Sequence, residues 1–68
     1  MERKHYSFEG CGSQKIQGVN IYQGWMTEKD MITMAQGIVV GLRQYCKGAF
    51  VVVYEEMNDN WHLARVQK

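Results

Sequence analysis

The sequence predicts an α+β fold, ββαββ in order, with a four-stranded antiparallel sheet and one helix packed on one of its faces. Three observations predict it. One central segment carries helix start, stop and dipole signals together. The segments on either side are alternating or β-branched runs. Each flank is divided by a cluster of turn residues, which makes two hairpins around one helix.

Lys4 to Glu9 alternates, with Tyr6 and Phe8 on one face and His5, Ser7 and Glu9 on the other, as a half-buried strand does. Gly10-Cys11-Gly12-Ser13 reads as a turn. A second strand is expected from Ile16 to Trp25, bulged near Gly18. Within it Val19, Ile21 and Trp25 share one face, and Asn20 and Tyr22 share the other. Tyr6, Phe8, Trp25 and Phe50 are the aromatic residues assigned to the core.

The helix begins at a capping box, Thr27-Glu28-Lys29-Asp30, with Thr27 as N-cap. Met26 and Met31 flank it at the two positions of a hydrophobic staple. Glu28 and Asp30 stand at the positive end of the helix dipole, and Arg43 and Lys47 at the negative end. Gly48 supplies a left-handed stop. At about 100° per residue, the apolar stripe is Met31, Ile32, Ala35, Ile38, Val39, Leu42, Tyr45 and Cys46. Gly37 and Gly41 lie off this stripe, as does Val40. Each glycine costs a helix about 1 kcal/mol against alanine, so the pair needs a reason. Close approach by another molecule is the reason favoured here.

Phe50 to Tyr54 is apolar on both faces and is expected as an interior strand. Asn58-Asp59-Asn60 makes a turn, and Trp61 to Val66 returns. One helix covers only part of one sheet face. The second face is expected to carry Tyr22, two of the valines at 51–53, and some of His62, Ala64 and Val66. Such apolar surface calls for a cover, and a protein is the usual one.

The chain has 68 residues, of which 46% are hydrophobic, with 8 Lys plus Arg against 7 Asp plus Glu, a net charge of +1. This is one domain, 1–68, too apolar for intrinsic disorder. No apolar run approaches the roughly 18 residues of a membrane span. No apolar signal-peptide segment follows Met1-Glu2-Arg3-Lys4, so a cytoplasmic chain starting near Met1 is expected, with Cys11 and Cys46 as free thiols. A domain this small gains little stability from its own core, and self-association is a common supplement.

Catalytic and metal signals are weak. His5, His62, Cys11 and Cys46 lack the spacing of zinc ligands. Cys11 has no adjacent base beyond the charge of Lys15. Glu55 and Glu56 are neighbours on a strand, so they face opposite ways and form no carboxylate pair. No enzyme activity, metal or cofactor is implied. Near charge balance disfavours nucleic acid as a partner, although Arg3, Lys4, Lys15, Arg65 and Lys68 lie near Tyr6, Tyr22 and Trp61 in sequence.

The leading expectation is a small non-catalytic binding protein, inhibitor- or adaptor-like, acting on a protein target and forming a homodimer. Phage-encoded host-blocking proteins share this size and lack of chemistry, an analogy of size class alone. Its interface residues are Tyr22, Gly37, Val40, Gly41, Tyr54 and Trp61, with aromatics as anchors. Glu55, Glu56 and Asp59 are read first as a solvated hairpin end and second as a group that steers a basic partner. The alternative is an oligomeric binder of an anionic ligand or nucleotide, using Gly10, Gly12, Ser13 and Lys15 as an anion-holding turn. A weak nucleic-acid binder working through the sheet edge comes third.

Overall fold

The computed structural model describes residues 2–11 and 19–67, with side chains for 2–10 and 20–64. Four strands, β1 (Lys4–Cys11), β2 (Val19–Met26), β3 (Phe50–Met57) and β4 (Asn60–Gln67), form one sheet, with helix α1 (Glu28–Arg43) between β2 and β3 in sequence. The sheet order is β2-β1-β3-β4 and every neighbouring pair is antiparallel. The α+β fold and the ββαββ order expected from the sequence are therefore present. β3 lies in the interior, as its double-sided apolar pattern requires. β2 and β3 both run against β1, so α1 crosses over β1 to join two parallel strands.

The helix packs over β3 and β1 and reaches β4. Tyr6, Phe8, Met26, Val51 and Val53 from the sheet meet Met31, Ala35 and Val39 from the helix in one core cluster. Residues 31, 35 and 39 recur every four positions, which keeps one side of the helix on the sheet. Ile32, Met34, Ile38 and Leu42 pack around them. Full burial of Phe8, Met31, Val51 and Val53 contributes about 1.5–3 kcal/mol for each side chain. Ala35 is also completely buried, so its methyl group sets how closely helix and sheet approach.

At the helix start, the Asp30 N–H donates to Thr27 Oγ1 at 3.2 Å and Thr27 is extended, as an N-cap is. Met26 and Met31 are both buried beside it. The helix end differs from expectation. It stops at Arg43, and the Gln44 and Tyr45 N–H groups bond three residues back to Gly41 and Leu42. Tightening of this kind rotates later residues off the helical stripe. Tyr45, assigned to the core from its wheel position, is accordingly 88% exposed. Gly48 does adopt a left-handed conformation, φ 80°, and ends the turn that follows. Arg43 Nε holds that turn by donating to the Ala49 carbonyl at 3.2 Å.

The β3–β4 hairpin turns at Asn58 and Asp59, both at positive φ (52° and 65°). Two consecutive left-handed residues are what a two-residue hairpin with right-handed strand twist needs, and Asn and Asp tolerate the conformation best among side chains with a Cβ. The first turn is placed differently from the sequence reading. Gly10 and Cys11 belong to β1, where Gly10 pairs with Val19 on one side and Val51 on the other.

A bulge governs β2. Phe8 pairs with Tyr22 and Glu9 with Asn20, so Ile21 is an extra residue in the edge strand. An extra residue reverses the alternation beyond it. Tyr22, expected on the second face, therefore lies on the helix side, its ring 6.4 Å from that of Phe8 and folded against Gly24. Trp25, expected in the core, moves to the open face and is 62% exposed. A second irregularity separates Val53–Arg65 from Tyr54–Leu63, making Ala64 the extra residue of β4. His62 then stands opposite Glu55, whose strand face is the helix side. Of the three valines only Val52 turns to the open face, since Val51 and Val53 are fully buried under the helix.

Candidate functional site: the open face of the sheet

Strand alternation puts His5, Ser7 and Glu9 of β1 on the face away from the helix. Register then assigns Trp25, Gln23 and Asn20 of β2, Glu56, Tyr54 and Val52 of β3, and Trp61 and Leu63 of β4 to the same face. Trp25 is 62% exposed, Leu63 59% and Trp61 44%, so three large apolar side chains lie uncovered on one side of the sheet.

These residues are organised around His5. Its ring stacks on Trp25 with centroids 5.2 Å apart and planes 20° apart. Trp61 reaches across β3 to the same ring, also at 5.2 Å, but tilted by 46°. Glu56, opposite Trp61 on β3, sits against His5 with its Oε2 2.6 Å from Nδ1. A carboxylate only accepts, so Nδ1 is the nitrogen that donates. The result is a row of rings across the sheet, fixed by one short polar contact. At its β2 end, Arg3 Nη2 donates to the Trp25 carbonyl at 2.8 Å.

Beside this row is a hollow of about 350 Å³, lined by Ser7, Glu9, Asn20, Gln23, Tyr54 and Trp61. Both bulges border it, Ile21 next to Asn20 on one side and Ala64 across from Tyr54 on the other. Bulges strengthen local twist and bend the strand that carries them. That distortion accounts for a concavity in a sheet only four strands wide. Asn20 Nδ2 donates to Ser7 Oγ, which satisfies the nearly buried hydroxyl and leaves the Asn20 carbonyl oxygen without a hydrogen bond among the described residues. Glu9 likewise has neither an ion-pair partner nor a side-chain hydrogen bond among the described residues.

Charge is sorted between the faces. Glu55 faces the helix side and pairs with Lys4, Nζ to Oε2 at 3.5 Å. The Glu55 carboxylate holds the Lys4 ammonium above its usual value, against a smaller opposing effect of desolvation. Glu56 pairs with His5 on the opposite side. The acidic group read from the sequence as one patch is therefore divided, each glutamate having its own partner. The described carboxylates of the open face are Glu9 and Glu56, and the Arg3 guanidinium lies at the β2 end of the ring row.

The interface residues predicted from the sequence fall on separate surfaces. Tyr54 and Trp61 come together at the hollow. Tyr22 is half exposed on the helix side of the β2 edge. Val40 is 62% exposed on the outer flank of α1, and a Cβ at Gly37 or Gly41 would meet nothing within 4 Å. No neighbouring part of the described chain needs the space those glycines leave. In the alternative ligand set, Gly10 is held in the ladder and forms no anion-binding turn, while Gly12, Ser13 and Lys15 lie outside the described residues. Cys46 is a free, partly buried thiol. Among the described residues, no three His, Cys, Asp or Glu side chains are grouped as metal ligands would be. Nor, among the described residues, is any helix long and apolar enough to cross a membrane.

Trp25, Leu63, Glu9, Asn20 and Gln23 were not singled out by sequence reasoning. Their signal was the polar alternation of β1, which marks its open face. What was missing was the phase of the two edge strands, which the bulges set. Comparison with protein families, curated proteins and solved structures finds no match.

Proposed function

We propose that this chain is a small non-catalytic binding protein, inhibitor- or adaptor-like, that seats a protein partner on the open face of its sheet. The observation that carries the reading is the exposure of Trp25, Trp61 and Leu63 together on a face the helix leaves bare. Trp and Tyr dominate interface energies because each removes a large apolar area from water at little entropic cost. The two longer dimensions of the molecule, 34 and 21 Å, give a face of on the order of 700 Å², close to the ~800 Å² each partner contributes to a standard interface. Blocking or bridging of this kind needs shape and anchors and no reacting group. The carboxylates of Glu9 and Glu56 among the rings favour a protein partner over a phosphate backbone, which would be repelled there.

Self-association is the second part of the proposal, through the helix flank of Gly37, Val40 and Gly41. This surface lies on the side of the molecule opposite the aromatic face, so both can be occupied at once. A cytoplasmic, reducing setting fits the free thiol of Cys46.

The test compares the native chain with a Trp25→Ala/Leu63→Ser variant whose fold is checked by circular dichroism. A partner retained by the native chain from its host lysate should be lost by the variant. Retention should change little between low and moderate salt, because apolar burial is not screened. Equal retention by both chains, or a steep fall with salt, would overturn the assignment. Sedimentation of a Gly37→Leu/Gly41→Leu variant tests the dimer separately: an unchanged mass removes that surface.

A further inference from the structure

We infer that the hollow beside Trp61 receives a cationic side chain, an arginine or lysine, projecting from the protein partner. The inference rests on the open face being the docking surface and names the chemistry of its most specific contact. The lining groups are a carboxylate (Glu9), an amide carbonyl with no other hydrogen bond among the described residues (Asn20), a second amide (Gln23), a hydroxyl (Ser7) and two aromatic rings (Tyr54 and Trp61). Among the described lining residues none is Lys, Arg or His. Acceptors and π faces without a competing cation describe a site for a donor-rich positive group. A guanidinium or ammonium bonds the carboxylate with charge assistance and lies against the negative face of a ring.

Size agrees with this choice. About 350 Å³ is near the lower end of ligand pockets and suits one long side chain better than a multi-ring ligand. Burial agrees as well. Glu9 is partly buried, with Val52 beside it on β3 and Asn20 on β2, so a partner seated on the face would exclude water from the contact.

The probe is N-acetyl-arginine methylamide, which carries the side chain between blocked backbone ends, titrated into the ¹⁵N-labelled full chain. Its neutral isostere is the citrulline derivative, and free L-arginine is the small-molecule control. Binding of the blocked arginine should shift the Trp61 indole N–H and the Asn20 and Gln23 side-chain amides. The citrulline derivative should bind about tenfold more weakly or worse, the loss expected when a charge-assisted bond becomes neutral. Glu9→Gln, which keeps shape and removes charge, should lose the same preference with an otherwise unchanged spectrum. Equal binding of arginine and citrulline, indifference to Glu9→Gln, shifts confined to the helix side, or no shifts at all would each overturn the inference. Tighter binding of free L-arginine than of the blocked form would also overturn it, since the site would then serve a small cation. Neither Trp25 nor Leu63 lines the hollow, so the partner-retention test can fail or succeed independently of this one.

Discussion

His5 Nδ1 lies 2.6 Å from Glu56 Oε2, and the imidazole is held between two tryptophans, Trp25 and Trp61, contributed by the two edge strands. The pairing fixes both the orientation of the ring and the nitrogen that carries its proton. Free neutral histidine does not have that proton so assigned, because either nitrogen can hold it. In this protein the neutral form of His5 should be the Nδ1–H tautomer. Long-range ¹H–¹⁵N correlation at mildly alkaline pH reads the tautomer directly, and Glu56→Ala should abolish the preference.

Exposed anchors cost little when removed from the free chain. Trp25→Ala should lower unfolding stability by about 1 kcal/mol or less, the worth of one aromatic stack, as measured by urea titration. The same change should weaken partner binding by about 2 kcal/mol or more if Trp25 is a central anchor. A large stability loss with unchanged binding would show that the ring supports the fold instead.

Phe8 presents the opposite case. It is fully buried between helix and sheet, and Phe8→Ala should cost about 3–5 kcal/mol. A domain of this length draws no more than about 3–5 kcal/mol from its core. The variant should therefore be largely unfolded at 25 °C, visible as loss of tryptophan and methyl chemical-shift dispersion.

Gly37 and Gly41 sit in the helix with open space where a Cβ would be. In an isolated chain each change to alanine should raise stability by about 0.5–1 kcal/mol, through helix propensity and a less flexible unfolded state. Equilibrium unfolding at low protein concentration measures this. Under the proposed pairing through that flank, the gain should shrink or reverse at high protein concentration, because the added methyl groups would push the copies apart.

The Lys4–Glu55 pair makes a pH prediction. Glu55 raises the folded-state pKa of Lys4, so the stabilisation is complete below the ordinary lysine value of about 10.4 and is lost as pH rises through the higher folded value. Lys4→Met should remove that part of the alkaline decline in thermal unfolding. The Lys4 side chain is exposed, so the effect should be small and should fade with added salt.

The sequence made the helix readable because Thr27, Met26, Met31 and Asp30 each act within one turn of the chain. The interior position of β3 was legible too, since Val51, Val52 and Val53 leave it no polar side. The open face was half legible. His5, Ser7 and Glu9 alternate without interruption, whereas Trp25 and Tyr22 exchanged faces through one extra residue at Ile21. Nothing in the residue itself announces the bulge, because isoleucine suits a strand on either side. Its position comes from the long-range fit of β2 to β1 against the helix. Likewise, Tyr45 left the core because the last turn tightened, which depends on carbonyl partners and not on hydrophobic spacing.

The central place of β1 has a consequence for how the protein is made. Its second ladder joins Tyr6 to Glu55 and Cys11 to Phe50, contacts between residues far apart in the chain. While the ribosome is still translating the helix, an early hairpin has one bare edge and no lid over Tyr6 and Phe8. Assembly should thus await the synthesis of β3 and be slow relative to helical proteins of equal size, as high contact order dictates. Newborn copies would be most in need of chaperone protection during that interval.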